Sequence, residues 1–184
     1  MDRVSVVGNS GTGKSSLARK LAHRLKAPCT ELDAIFHQPG WTELETTEFR
    51  RRLGVLVAQP RWVIDGNYQR VRDLIWGRAD TVVWLDLPRA LVVRRVIWRT
   101  ARRALTREVL WNGNRERLGN ALAWEPERSI IRWSWTQHAA YGERYQAAME
   151  DSALGHLSFH RLRSAAEVTA FLTGLEDVAE PPAQ

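Results

Sequence analysis

The sequence predicts an α/β protein, a doubly wound and mainly parallel sheet in one domain. Three observations carry that expectation. Short β-branched runs alternate with helical periodicity along the chain. The first strand–helix junction is Gly8-Asn9-Ser10-Gly11-Thr12-Gly13-Lys14-Ser15, which matches G-x-x-x-x-G-K-[ST] in full. A length of 184 residues with 44% hydrophobic content suits a single domain with a sizeable core.

The elements follow in order. Val4–Val7 reads as a short buried strand and Ser16–Ala22 as a helix, ending near Leu25 before Ala27-Pro28. Between them, glycines let the backbone curl so that successive N–H groups point inward at an anion. The helix N-terminus adds its positive dipole end. Gly8 through Ser16 are therefore the candidate phosphate-binding residues: Gly8, Asn9, Ser10, Gly11, Thr12, Gly13, Lys14, Ser15 and Ser16. Lys14 is spaced to reach the β- and γ-phosphates of a nucleotide, and the Ser15 hydroxyl to bind Mg²⁺.

Thr30–Asp33 is expected to end a second strand, with Asp33 at its tip and a loop through Pro39-Gly40-Trp41. Thr42-Glu43-Leu44-Glu45 has the form of a capping box opening a helix to about Ala58. Trp62–Asp65 is a third strand running into Gly66-Asn67-Tyr68, and Arg70–Trp76 a short helix stopped by Gly77. Thr81–Asp86 is the fourth strand, and Pro88 suits the first position of the next helix. That helix carries Arg94, Arg95, Arg99, Arg102 and Arg103, with Val93, Ile97, Ala101 and Ala104 expected to pack. Leu105–Glu127 has little periodicity and reads as an insertion or flap. A long helix over about Ser129–Met149 is expected to present Ile131, Trp135, His138, Tyr145 and Met149 on one face. Leu157–Leu162 is a fifth strand, Ala165–Leu175 a closing helix, and 176–184 a frayed tail containing Pro181-Pro182.

Net charge is +6, and nearly all the cations are Arg, a side chain suited to phosphate oxygens. Cys29 is the one cysteine, so an internal disulfide is excluded. No apolar run reaches membrane-spanning length, and the cytoplasm is the expected compartment. Among the nine Trp, Trp62, Trp84 and Trp135 lie on apolar patterns and are expected in the core, while Trp41, Trp111 and Trp124 are placed to touch a ligand. His37, in the loop after Asp33, could assist proton transfer or simply be solvated.

Phosphoryl transfer wants a carboxylate near the metal. Asp65 and Asp86 both end strands and compete for that role. Gly66 leaves room beside Asp65, whereas Asp86 could cap the next helix, so Asp65 leads as a metal-side residue with Ser15. Asp33 faces the acceptor side. The segment from Arg24 to Arg50 offers Glu31 and Asp33 but no intervening Arg, which suits a hydroxyl acceptor better than a phosphate. Arg50, Arg70 and Arg72 could still fold toward it.

The order phosphate loop, Leu32-Asp33, Val63-Ile64-Asp65-Gly66, then Trp84-Leu85-Asp86-Leu87-Pro88 with Arg95 and Arg99 resembles the adenylate-kinase-like small P-loop kinases. More narrowly, Ile64–Tyr68 and Leu110-Trp111-Asn112-Gly113-Asn114-Arg115-Glu116 resemble bacterial P-loop proteins called DNA topology modulation or adenylate-kinase-related proteins. The resemblance extends to about residue 175. It implies a P-loop NTPase fold, a three-layer α/β/α arrangement with a five-stranded parallel sheet ordered 2-3-1-4-5 and a helical lid over about 100–130. It further implies Arg95 and Arg99 as lid-hinge residues on phosphates, Arg132 as another phosphate-facing residue, and Arg163-Ser164 as a loop against the base. Each Arg could instead lie on a solvated helix face. The expected activity is ATP- or GTP-dependent transfer of the γ-phosphate to a small hydroxyl-bearing acceptor, with Mg²⁺ and with Lys14, Asp33, Arg95 and Arg99 in catalysis. A nucleoside monophosphate kinase and a nucleic-acid-binding NTPase are the alternatives.

Overall fold

The structure, a computed structural model, describes residues 1–115 and 130–175, with the backbone alone for 130–134. Five strands form one sheet: β1 (Arg3–Gly8), β2 (Cys29–Glu31), β3 (Trp62–Asp65), β4 (Thr81–Leu85) and β5 (Ser158–Leu162). Every pairing is parallel and the order is β2-β3-β1-β4-β5, as expected. Seven described α-helices connect and flank the strands: α1 (Lys14–Leu25), α2 (Leu32–Phe36), α3 (Thr46–Val57), α4 (Gln69–Trp76), α5 (Arg89–Thr106), α6 (Ile130–Glu150) and α7 (Ala165–Gly174).

The central strands are buried on both sides, which is why they read as unbroken apolar runs. Successive side chains point to opposite faces, and two cores result. Val4, Val6, Val63, Val83 and Leu85 meet Leu17 and Leu21 of α1 and Leu172 of α7. Val7, Trp62, Ile64, Val82 and Trp84 meet α3, α4 and α6 through Phe49, Leu53, Ile75 and Tyr145.

Several expectations are corrected by packing. The second strand stops at Glu31, and Asp33 lies in the first turn of α2 rather than at a strand tip. Leu32 and Phe36, one helical turn apart, are both buried there, and coiling is what lets both reach the core. The stretch expected as a loop to Trp41 therefore holds α2 and a short 3₁₀ turn over Pro39–Trp41.

The capping box does not form at Thr42. That residue closes a tight loop in which Gln38 N–H donates to its carbonyl (2.8 Å) and Leu44 N–H donates to Phe36 O (2.8 Å). Glu45 caps α3 instead, accepting from Glu48 N–H at 3.1 Å.

On α5 the buried stripe is Val92, Val96 and Thr100, while Ile97 is exposed. On α6 the buried residues are Tyr141, Tyr145 and Ala148; Trp135 lies out in solvent under the Arg89 guanidinium, 3.9 Å from its ring centre. Met149 is exposed too, and the Ile131 side chain lies outside the described residues. Trp62 and Trp84 are core residues, each 2% exposed. Of the expected flap, residues up to Thr106 continue α5, 107–115 form an ordered turn, and 116–127 lie outside the described residues. Among the described residues no helix is long and apolar enough to cross a membrane.

Candidate functional site

The loop between β1 and α1 is shaped by three left-handed glycines: Gly8 (φ 143°), Gly11 (φ 85°) and Gly13 (φ 96°). The carbonyl of Asn9 gathers three donors, Thr12 N–H (3.3 Å), Thr12 Oγ1 (2.8 Å) and Lys14 Nζ (3.0 Å). Those bonds occupy a main-chain acceptor in a loop whose N–H groups are wanted for an anion. No side chain caps the start of α1, so its first-turn N–H groups are left for an anion.

Two neighbours brace the loop. Asn67 accepts Gly8 N–H at 3.1 Å and donates back to Gly8 O. Helix α5 rests on the loop at Gly11, where a Cβ would lie 2.5 Å from Val96 Cγ2 and 2.8 Å from Val92 O. From α5, Arg95 donates to Thr12 O at 3.3 Å and Arg99 to Ser10 Oγ at 3.0 Å.

Lys14 is half-buried. Burial draws its ammonium below the usual lysine range, while the Asp65 and Asp33 carboxylates oppose that fall. Ser15 Oγ donates to Asp65 Oδ2 at 2.5 Å. Burial holds the Asp65 carboxyl above the ordinary range against the pull of Lys14 and Ser15, and Asp65 Oδ1 is buried without a hydrogen-bond partner.

Asp86, the rival, is engaged elsewhere. Arg161 binds its Oδ2 through Nε (2.8 Å) and Nη2 (2.6 Å) and lies over the Trp84 ring. Asp86 is thus a structural ion pair, and Asp65 is the carboxylate that faces the loop.

An open cleft of about 2350 Å³ runs from the loop across the ends of β3 and β2. Lys14, Ser15, Asp65, Asp33 and Arg99 line it together. In the same cleft Tyr68 Oη donates to Asp33 Oδ1 at 2.6 Å. Burial and the Asp33 charge raise the Tyr68 phenol, keeping it a donor. His37 is boxed by rings, 5.2 Å from Trp41 and 6.2 Å from Trp111, with its Nε2 3.4 Å from Tyr68 Oη. It is a packed side chain, not a solvated one.

Arg70 lines the cleft but pairs with Glu43 at 3.2 Å; Arg50 is held by Asp73, and Arg72 lies over Trp76. Arg144, from α6, lines the cleft without a carboxylate partner among the described residues. Several expected residues do not converge here. Ser16 is exposed outside the lining. Arg163 is exposed, and Ser164 caps α7 by accepting from Glu167 N–H at 3.1 Å. The Arg132 side chain and Trp124 lie outside the described residues.

Asn67, Tyr68 and Arg144 belong to the site without having been singled out by spacing. Asn67 and Tyr68 had a local signal, since they follow a strand-end Asp-Gly. Arg144 had none until the buried face of α6 was fixed.

Among the described residues no three His, Cys, Asp or Glu side chains gather to hold a metal by themselves. The Ser15–Asp65 pair is nevertheless a hard-oxygen set with an orphaned buried oxygen. That fits Mg²⁺, which is commonly held by one or two carboxylates and completed by substrate phosphates and water.

No family model matches the chain and no curated protein does, so the narrower grouping suggested by Ile64–Tyr68 and Leu110–Glu116 rests on sequence resemblance alone. Solved structures do match. Shikimate kinase from Bacteroides thetaiotaomicron is 12% identical over 96% of this chain and 97% of its own, with a TM-score of 0.54. A gluconokinase from Sinorhizobium meliloti 1021 is 18% identical over 97% and 93%, TM-score 0.50. Shikimate kinase from Acinetobacter baumannii, solved in complex with shikimate, is 15% identical over 97% and 92%, TM-score 0.54. At these identities the likeness is one of fold, the α/β P-loop fold.

Proposed function

We propose that this chain is an ATP- or GTP-dependent phosphotransferase acting on a hydroxyl of a small acceptor. The observation that carries the reading is the convergence of Lys14, Ser15 and Asp65 with the Asp33–Tyr68 pair in a single cleft. In this reading the loop N–H groups and Lys14 hold the donor phosphates. Ser15 and Asp65 hold Mg²⁺, which would neutralise charge on the phosphate oxygens. Arg99 presents positive charge where it develops on the transferred group. Tyr68 occupies Asp33 Oδ1, leaving Oδ2 to accept the acceptor hydroxyl, orient its oxygen and take its proton.

The acceptor side supports a hydroxyl over a monophosphate. Glu43 is offset by Arg70 and Glu31 by Arg19, which leaves Asp33 as the carboxylate there with no ion-pair partner among the described residues. Its charge would repel a dianion, and Arg144 is the cleft cation that a monophosphate would need to recruit. The test is transfer of labelled γ-phosphate from ATP or GTP to a panel of polyols, hydroxy acids, nucleosides and nucleoside monophosphates. Shikimate and gluconate, which name the similar solved kinases, go first. Phosphorylation of a hydroxyl compound is expected. AMP as the best acceptor would return the site to nucleoside monophosphate kinases. A polyanion-stimulated hydrolysis with steep salt dependence and no transfer would point to a nucleic-acid-binding NTPase.

A further inference from the structure

Trp111, Asn112 and Asn114 are far in sequence from residues 31–41, yet their side chains bind that segment repeatedly. Trp111 Nε1 donates to Glu31 Oε2 at 3.2 Å. Asn112 Nδ2 donates to Ala34 O at 3.1 Å and His37 O at 2.5 Å. Asn114 accepts Trp41 N–H at 2.9 Å and donates to Gln38 O at 2.9 Å. Trp41 returns a bond through Nε1 to Arg115 O at 3.2 Å.

The turn is built for this. Asn112 (φ 56°) and Gly113 (φ 79°) take left-handed backbone, which Asn and Gly tolerate, and Asn114 is 4% exposed. A primary amide is suited to Asn114's place because it must both accept and donate.

The gripped segment is anchored in the core by Leu32 and Phe36, but beyond them it has only a single 3₁₀ turn, and much of 38–43 is exposed. It nevertheless carries Asp33 and His37, and through Tyr68 the two are linked: His37 Nε2 lies 3.4 Å from Tyr68 Oη, which donates to Asp33. The turn follows α5, the helix whose Val92 and Val96 sit on Gly11 and whose Arg99 reaches Ser10.

We propose that the Trp111–Asn114 turn is a positioning clamp for the acceptor pocket, with Asn112 and Asn114 as positioning residues that set the Asp33 segment against the phosphate loop. The proposal rests on the phosphotransferase reading and deepens it. It makes acceptor geometry depend on α5, while the nucleotide half stands on β1 and α1 without the clamp.

The test uses the full chain with Asn112→Gly, Asn112→Asp and Asn114→Ala. Glycine keeps the left-handed backbone and deletes the amide; aspartate keeps the shape and deletes the donor. Affinity for a fluorescent ATP analogue is measured beside transfer to whichever of shikimate, D-gluconate or AMP is phosphorylated. Each variant is expected to lower kcat/KM for the acceptor by about ten- to a hundredfold, the usual scale for a misplaced reacting group, with ATP-analogue affinity within about twofold. Unchanged acceptor kinetics would overturn the proposal. So would an equal loss of ATP-analogue affinity, or full activity in Asn112→Asp.

Should none of the three compounds be phosphorylated, the phosphotransferase reading loses its first candidates while the clamp stays testable. Amide exchange over residues 34–41 in Asn112→Gly should then rise at least about tenfold with exchange at 8–15 unchanged, as expected for a local opening. Unaltered exchange at 34–41 would overturn the clamp.

Discussion

Gly11 and Gly13 belong to the same loop and both take left-handed backbone, yet they should respond differently to an added methyl group. At Gly13 (φ 96°) a Cβ meets nothing within 4 Å, so Gly13→Ala carries mainly the cost of left-handed backbone, about 1–2 kcal/mol. At Gly11 (φ 85°) the same cost applies, and the Cβ also falls 2.5 Å from Val96 Cγ2 and 2.8 Å from Val92 O. The second atom is backbone and cannot swing aside, so α5 must move; overpacking of this kind adds about 1–3 kcal/mol. The difference between the variants cancels the backbone part and isolates the contact. At about 2–4 °C per kcal/mol for a chain of this size, Gly11→Ala should melt about 2–12 °C below Gly13→Ala. The assay is thermal unfolding of the ligand-free full chain. Adding Val96→Ala to each should recover part of the difference, read as coupling in a double-mutant cycle. Equal melting temperatures, or a lower one for Gly13→Ala, would refute the seating of α5 on Gly11.

Lys14→Ala should weaken ATP binding about ten- to a hundredfold, the worth of one charged hydrogen bond, with melting near wild type because Lys14 bonds only its own loop in the free chain; calorimetric titration checks this. Asp65→Asn should abolish the extra thermal stabilisation that Mg²⁺ adds to ATP, seen by melting with and without EDTA; an undiminished Mg²⁺ effect would move the metal elsewhere. Arg99→Ala, in the cleft, should lower kcat by about one to three orders of magnitude, whereas Arg95→Ala, outside the lining, should cost less; equal losses in steady-state kinetics would contradict that ranking. Arg161→Ala should cost about 2 kcal/mol in denaturant unfolding by stripping the partly buried Asp86 of its partner.

The phosphate loop and the sheet order were legible in the sequence because both rest on local patterns: fixed glycine spacing, and buried strands that alternate with helices. What was not legible depended on distant partners. Asp65 and Asp86 look alike from their neighbours, and the choice is made by Arg161, 75 residues beyond Asp86. The expected stripe on α5 and the observed one differ by a single residue, a rotation of roughly 100° about the helix. Both stripes are largely apolar, and contact with Gly11 is made by Val92 and Val96. Asp33 was expected one element early, because the burial of Leu32 and Phe36 outweighs the short β signal before them. The side chains of Trp111, Asn112 and Asn114 answer to a carboxylate and to backbone groups more than 70 residues away, for which sequence spacing holds no signal.

Asn67 holds the start of the phosphate loop in shape. Its side-chain amide pairs with both the N–H and the carbonyl of Gly8 just past the last main-chain rung, where Gly66 N–H donates to Val6 O at 3.2 Å. The side chain thus serves as a surrogate peptide unit, lengthening the β3–β1 ladder by one step after the backbone has turned away. Tyr145 Oη, donating to the same Asn67 oxygen at 3.1 Å, fixes the surrogate from α6. A glycine-rich segment would otherwise sample many shapes, and a ligand would have to bear the entropy of choosing one. Here the first residue of the loop is templated by its neighbours during folding, so that ordering cost falls on the fold rather than on the binding event.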